Sequence, residues 1–465
     1  MGFPILLTRI LVSAAILLLS GSCLQGSGQS AASPENMPPG LQDQAPPPPP
    51  TSPAVPDQTP PPAAAAEPSA TDAELPGAIY KEAMHPLDVV RQSLDNWSDS
   101  ELSALGIGIH MAREACDKMN PENYTGDDLY DLAHLCAFGQ DWNPANTAAQ
   151  LYIRSRAPEH LAQAFAISIG AYVHMGARDL ALATTRGLMG YPYDAEVAYT
   201  VRFMKDDLEE SGSPDALRLA AQEHGKIIDA LSKGTPLTAR YGDAVVSVGN
   251  LYAMAMEAAF FARYAGDDAQ AGVLADDVQR ALPKDTALTA EDRQEIDSTN
   301  LQYRLLGTRL EHVPVIRSFK SSTAKTQIDE KFGAATVLVI FPYWCVQCRK
   351  MMPTMTKFNA ANAMTPIRAY GLIFKEDGEE APPDTQKELA GTDVIEISEE
   401  TARSFGTSDY PLGVVADHAG IIRFIGTLPG DAFNGGGYIE KVITRMAGAQ
   451  VRLTPPGPQA GQAGR

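Results

Sequence analysis

Cysteine is scarce in this 465-residue chain: there are five, too few to staple a small disulfide-framed fold, so each must be explained by its own surroundings. Basic side chains are also short, 37 against 57 acidic, which leaves a net charge of −20. Phosphate backbones need clustered Lys and Arg, so nucleic acid is excluded as a partner and a soluble, self-repelling protein is favoured. The leading apolar stretch, Ile10 to Leu19, is broken by Ser13 and falls short of the ~20 residues a membrane-spanning helix requires. With Arg9 the sole basic residue before it, the segment 1–23 reads as an export signal. A length of 465 residues exceeds one ordinary domain, and two or three are expected.

The apolar stretch gives way to Ser20-Gly21-Ser22-Cys23, whose small residues before a cysteine resemble a bacterial lipobox. That resemblance makes Cys23 a candidate lipidation site and implies membrane attachment through an N-terminal lipid. Ser20 departs from the Leu usual at its place, so an ordinary cleavable signal stands beside this reading. Either way the chain is expected in the periplasm or cell envelope. Residues 24–77 carry fifteen prolines, with a run at Pro46–Pro50, and an Ala63–Ala66 tract. Such a segment cannot bury a core and favours extended polyproline II. At ~3.1 Å per residue it would tether a domain well over 100 Å from an anchor. A ligand for an SH3-type module is the other reading of the prolines. The tail 451–465 is expected to be disordered.

From 78 to 310 the pattern is helical throughout. Two stretches look alike: Leu132 to Gly139 before Asp141-Trp142, and Ala166 to Gly176 before Asp179-Leu180. Their turn glycines, Gly139 and Gly176, are 37 residues apart, and Leu251 to Ala265 followed by Gly266-Asp267 makes a third copy. The arrangement resembles tetratricopeptide repeats, paired helices of similar period, although the full consensus is absent. It implies an array of α-helical hairpins that binds a protein partner. Cys116 and Cys136 fall here. A disulfide is tempting in an oxidising compartment. If their helices form an antiparallel hairpin, however, Cys116 lies near the turn and Cys136 about nine residues further in, an axial offset on the order of 10 Å. A disulfide tolerates Cα separations only up to about 7 Å. Two buried small thiols are therefore favoured over a bridge.

Residues 313–450 change character. Strand-like runs occur at Val313 to Phe319, Thr336 to Phe341, Ile367 to Phe374, Val394 to Ile397, Leu412 to Ala416 and Ile421 to Gly426, with helical stretches near 323–332, 346–362, 383–390, 399–406 and 433–447. Alternating strand and helix predicts an α/β sheet, and Asp417-His418-Ala419-Gly420 joins the last two strands as a hairpin.

The chemistry concentrates in Trp344-Cys345-Val346-Gln347-Cys348, which comes directly after an apolar strand and opens a helix. A thiol at a helix N-terminus faces unpaired N–H groups and the positive end of the dipole, which stabilise its thiolate, the nucleophilic form. Cys345 can then attack a partner disulfide, and Cys348, one turn on, can resolve the mixed disulfide. Trp344-Cys-x-x-Cys348 with Pro353 five residues further resembles the thioredoxin superfamily. In that family a proline at this place kinks the active-site helix. Pro411, in Ser408-Asp409-Tyr410-Pro411-Leu412, matches the family's cis-proline, which faces the disulfide and guides the substrate backbone. The extra helix and strand near 383–397 look like the central insertion of the TlpA/ResA-like branch. The resemblance implies a thioredoxin-like fold over 313–450, an oxidoreductase with Cys345 and Cys348 as its redox pair, and Trp344, Tyr410 and Pro411 against a thiol- or disulfide-containing protein partner.

Departures limit the transfer. Val339 stands where relatives keep a buried Asp or Asn, Val346-Gln347 is an unfamiliar dipeptide, and Tyr410 replaces a small or β-branched residue. The direction of electron flow is therefore left open. No second Cys/His cluster accompanies the pair, so no metal and no other cofactor is expected. Pro342 occupies the place where a peroxiredoxin needs Thr, which makes a peroxidase the lesser alternative. The main alternative is a helical-repeat scaffold whose thioredoxin-like part is structural or regulatory. His418 is expected to be exposed, and Glu376 and Asp377 to lie in a solvated acidic loop rather than act as proton acceptors.

Overall fold

A computed structural model describes residues 75–91, 99–155, 159–208, 213–240, 244–284, 288–320, 327–328, 335–376, 378, 381–434 and 438–446. Cys23, the proline-rich segment before 75 and the tail 451–465 lie outside the described residues. None of the described helices is long and apolar enough to cross a membrane.

The Ala- and Leu-rich part forms α1 (Pro76–Arg91), α2 (Asp99–Cys116), α3 (Asp127–Phe138), α4 (Trp142–Ser155), α5 (Leu161–His174), α6 (Arg178–Leu188), α7 (Ala195–Leu208), α8 (Pro214–Ser232), α9 (Val248–Tyr264), α10 (Asp268–Ala281) and α11 (Ala290–Leu305). Between α8 and α9 the β-branched pair Val245-Val246 departs from the all-helical expectation. It pairs antiparallel as β2 (Val245–Val246) with β1 (Leu237–Thr238), and the Tyr199 hydroxyl of α7 donates to Val245 O at 3.0 Å.

Three turns, α3–α4, α5–α6 and α9–α10, share one device. Asp141, Ala177 and Asp267 each donate their N–H to the carbonyl five residues back, at 2.9, 2.8 and 2.9 Å. This is the Schellman closure, and it puts the residue before the donor in the left-handed region. Those residues are Gln140 (φ 59°), Gly176 (φ 73°) and Gly266 (φ 83°). Gly139 is thus not the counterpart of Gly176, as the repeat alignment has it. Its lack of a side chain serves packing instead, since a Cβ there would meet Arg113 N at 2.6 Å.

Cys116 and Cys136 form a disulfide, with Cα atoms 5.2 Å apart, which corrects the expectation of two free buried thiols. The assumed antiparallel hairpin is the error. Residues 117–126, with a 3-10 turn at Pro121–Asn123, carry the chain back so that the C-terminal ends of α2 and α3 meet. Arg113 Nε donating to Gly139 O at 2.8 Å ties the same two ends together.

The C-terminal part adds β3 (Val313–Pro314), β4 (Arg317–Ser318), β5 (Gln327–Ile328), β6 (Ala335–Pro342), α12 (Val346–Ala361), β7 (Ile367–Phe374), α13 (Thr385–Glu388), β8 (Val394–Glu396), α14 (Glu399–Arg403), β9 (Leu412–Ala416), β10 (Ile422–Thr427) and α15 (Tyr438–Met446). Six strands form a mixed sheet in the order β10-β9-β6-β7-β8-β4, with β6, β7 and β8 parallel and the rest antiparallel to their neighbours. The run expected as one strand from Val313 to Phe319 is split. β3 pairs with β5 outside the main sheet, and β4 joins β8 at its edge. Gln327–Ile328 is therefore extended where a helix over 323–332 was expected; the flanking residues lie outside the described ones.

Strand alternation sends β6 side chains to two different cores. Val337, Val339 and Phe341 pack with Met352, Met355 and Phe358 of α12 and Ile439 and Val442 of α15. Leu338 and Ile340, with Leu372, Val414 and Ile425, share one continuous apolar cluster with Leu251, Tyr252, Ala255 and Ala259 of α9 and Ile296 of α11. α9 is apolar nearly all round because it is packed on all sides. Each such aliphatic side chain contributes ~1.5–3 kcal/mol when buried, and the helical part shares the cover of this sheet face with Ala402 and Phe405 at α14. The chain leaving α11 also lines the β10 edge: Gly307 N donates to Ile422 O at 2.8 Å and Ile422 N to Thr308 O at 2.9 Å.

Candidate active site

The site begins where β6 ends. Its strand is buried along its full length, and Tyr343-Trp344 carries the chain off it into Cys345, the N-cap of α12. Cys345 and Cys348 are joined as a disulfide. The Cys348 backbone N–H also donates to Cys345 Sγ at 3.3 Å, so the first sulfur caps the helix. A negative charge on that sulfur would sit against an N–H and the positive end of the helix, the arrangement that favours thiolate. Cys345 keeps 8% of its surface exposed and Cys348 none, so the first cysteine lies nearer the surface. Pro353 lies inside α12, two turns from the cysteines. Below them, Met352 crosses β7 at Gly371, where a Cβ would stand 2.5 Å from the Met352 sulfur.

The Tyr410–Pro411 peptide bond is cis, at the entry to β9. Trp344 and Tyr410 meet edge to face, centroids 5.7 Å apart at 85°, and Phe374 stands 5.8 Å from Tyr410. Glu376, just beyond β7, binds both walls: Trp344 Nε1 donates to one carboxylate oxygen at 3.1 Å and the Tyr410 hydroxyl to the other at 3.4 Å. This overturns the reading of Glu376 as part of a solvated loop. Burial, with the Glu376 charge beside it, pushes the Tyr410 hydroxyl well above its ordinary pKa, so it serves as a neutral donor. Asp377 lies outside the described residues. His418 is exposed in the β9–β10 turn, away from these groups.

The insertion braces the other side. Arg349, next to Cys348 and buried, donates to the Tyr343 carbonyl and, at 2.8 Å, to Glu388 of α13. Arg317 donates to the Tyr343 hydroxyl at 2.8 Å and to Gln386 at 3.1 Å. Sequence reasoning missed these pairs; the arginine adjoining Cys-x-x-Cys and the Gln/Glu-bearing insertion were the available signal. Val339 is fully buried in the α12 core, so the strand supplies no acid beneath the disulfide. The arrangement as a whole is a sulfur at a helix N-terminus on the less buried of two cysteines, a fully buried second cysteine one turn on, and an aromatic wall held by a carboxylate. Such a set can undertake thiol–disulfide exchange with no other group.

No protein-family model and no curated protein matches the chain. Solved structures of thioredoxin-fold thiol–disulfide oxidoreductases are similar to part of it. The thioredoxin domain of a thiol-disulfide oxidoreductase from Bacteroides vulgatus is 16% identical with a TM-score of 0.22, covering 25% of this chain and 84% of that one. A thiol:disulfide interchange protein from a Bacteroides species is 14% identical with a TM-score of 0.24, covering 34% and 95%. A thioredoxin-family thiol:disulfide interchange protein from Chlorobium tepidum is 20% identical with a TM-score of 0.21, covering 30% and 99%.

Proposed function

We propose that this chain is a thiol–disulfide oxidoreductase of the cell envelope that acts on protein partners through Cys345 and Cys348. The carrying observation is the asymmetry of the pair: Cys345 lies nearer the surface and its sulfur accepts an N–H, while Cys348 is fully buried. From the dithiol form, the Cys345 thiolate attacks a partner disulfide. A Cys345–partner disulfide forms and one partner thiolate leaves. Cys348 then gives up its proton and attacks the Cys345 sulfur, which restores the internal disulfide and releases the second partner thiolate. Two electrons pass to the partner, and the reverse sequence oxidises a partner dithiol. Trp344, Tyr410 and Pro411 form the wall along which a partner chain would lie, and the helical hairpins supply a surface for holding it.

Trapping tests this reading. Cys348→Ala should accumulate mixed disulfides through Cys345 on exposure to envelope extract, and Cys345→Ala should not. Adducts only in the reciprocal variant would reverse the roles, and adducts in neither would remove the activity.

A further inference from the structure

The loop that carries Tyr410 and Pro411 is gripped by the helical part of the chain. Asp409, immediately before Tyr410, accepts from Arg202 Nη2 of α7 at 3.3 Å. Arg202 is held from behind, its Nε 3.6 Å from the Glu257 carboxylate of α9. Glu257 in turn contacts Lys205, and Lys205 Nζ lies 2.7 Å from Glu223 of α8, which accepts from the Tyr193 hydroxyl at 2.7 Å. Lys205 and Glu223 are almost wholly buried, and charges in such surroundings hold fixed positions because leaving one unpaired is costly. This ionic chain runs through three helices and ends at Asp409.

A second grip lies three residues earlier. Gly406 is in the left-handed region (φ 71°), and a Cβ there would meet Ser298 O of α11 at 2.6 Å. Gln302 of α11 donates to the Gly406 carbonyl. The segment 406–409 is therefore fixed at both ends by α7 and α11, and it sets where the Tyr410 ring meets Trp344. Within a thioredoxin-like domain standing alone nothing would supply either contact.

We propose that Arg202 is a positioning residue for the redox site: by holding Asp409 it sets the Tyr410–Pro411 loop against Cys345 and so governs recognition of a polypeptide partner. This role rests on the exchange reading of Cys345 and Cys348. A small dithiol can reach Cys345 without using the loop, whereas a peptide must lie along it. The two reductants therefore separate positioning from general damage.

The full-length oxidised protein is reduced with dithiothreitol and, separately, with a flexible peptide dithiol, and opening of Cys345–Cys348 is followed by alkylation and mass. Arg202→Gln should slow the peptide reaction about tenfold, through a raised half-saturation concentration, since small misplacements of a binding wall carry penalties of this order. Its reaction with dithiothreitol should stay within about twofold. Arg202→Lys should recover most of the loss. Asp409→Asn, on a half-exposed side chain, should match Arg202→Gln, and the double variant should be no worse than either. Equal slowing with both reductants, no slowing with the peptide, or additive effects in the double variant would each overturn the proposal. A wild-type Cys345–Cys348 disulfide inert to both reductants would instead overturn the exchange reading, and the role of Arg202 with it.

Discussion

The described residues contain two disulfides, one in each region of the molecule, and they are built for opposite ends. Cys116–Cys136 spans 20 residues and clamps the C-terminal ends of α2 and α3, with both sulfurs buried among Leu132, Leu135 and Ala149. Cys345–Cys348 spans three residues, closes a short loop and caps a helix with Cys345, which keeps 8% of its surface exposed. Loop length decides what each can do for stability. Cross-linking a chain across about 20 residues removes roughly 3 kcal/mol of unfolded-state entropy, and a three-residue loop about half as much. Environment decides reactivity, since a helix C-terminus opposes thiolate and a helix N-terminus favours it. Sequence spacing and helix polarity therefore sort a staple from a reagent.

The strongest way to break that comparison is to remove each bond in turn. Cys345→Ser should abolish exchange entirely while lowering the unfolding free energy by only about half of what the longer loop contributes. Cys116→Ala with Cys136→Ala should lower unfolding free energy by about 3 kcal/mol and leave exchange intact. Paired denaturation and peptide-reduction assays check both arms, and a large loss of exchange in the second variant would show that the helical disulfide is itself part of the electron path.

How legible this was in the sequence depends on how local each feature is. β7 and β9 could be bounded to the residue, because each is a mainly apolar run that starts directly after a proline, Pro366 and Pro411 respectively. The cysteine pair was legible for the same reason: strand end, Cys-x-x-Cys and helix start lie within a dozen residues. Cys116–Cys136 was misread because their proximity depends on the direction of α3, which residues 117–126 set and no periodicity reveals. Gln140 escaped notice because a glutamine rarely takes the left-handed conformation. Gln327–Ile328 is extended only because Val313–Pro314 pairs with it. Glu376 looked like one more acid in an acidic run; its role comes from Trp344 and Tyr410, 32 and 34 positions away in sequence.

Glu376 gives the next, smaller effect and sharpens the account of the reactive side. Glu376→Ala removes the acceptor common to both walls and should lower the efficiency of peptide reduction about threefold to tenfold, the range of a typical net hydrogen-bond contribution of about 0.5–1.5 kcal/mol. Trp344→Phe breaks the 3.1 Å bond and should cost more than Tyr410→Phe, which breaks the 3.4 Å one. Steady-state kinetics with the peptide dithiol would rank the three. If Tyr410→Phe proves the most damaging, the carboxylate is not what holds the wall.

The smallest effect concerns acid and belongs to the stapled region. His174 closes α5 and stacks on Trp142, centroids 4.0 Å apart at 11°, and burial lowers its pKa from 6.5 to about 4. His134 of α3 is lowered to about 4 as well, by burial and then by repulsion from His160. An imidazole whose folded pKa lies below its unfolded value binds fewer protons when folded, so stability is whole above pH 6.5 and is lost as pH falls towards 4. His174→Asn removes one of these two titrations. The drop in melting temperature between pH 7 and about pH 4.5 should be shallower in the variant than in wild type, with the curves separating only below about pH 6.5. A His174→Asn curve parallel to wild type at every pH would place the acid sensitivity elsewhere, in the carboxylates rather than in the stacked imidazole.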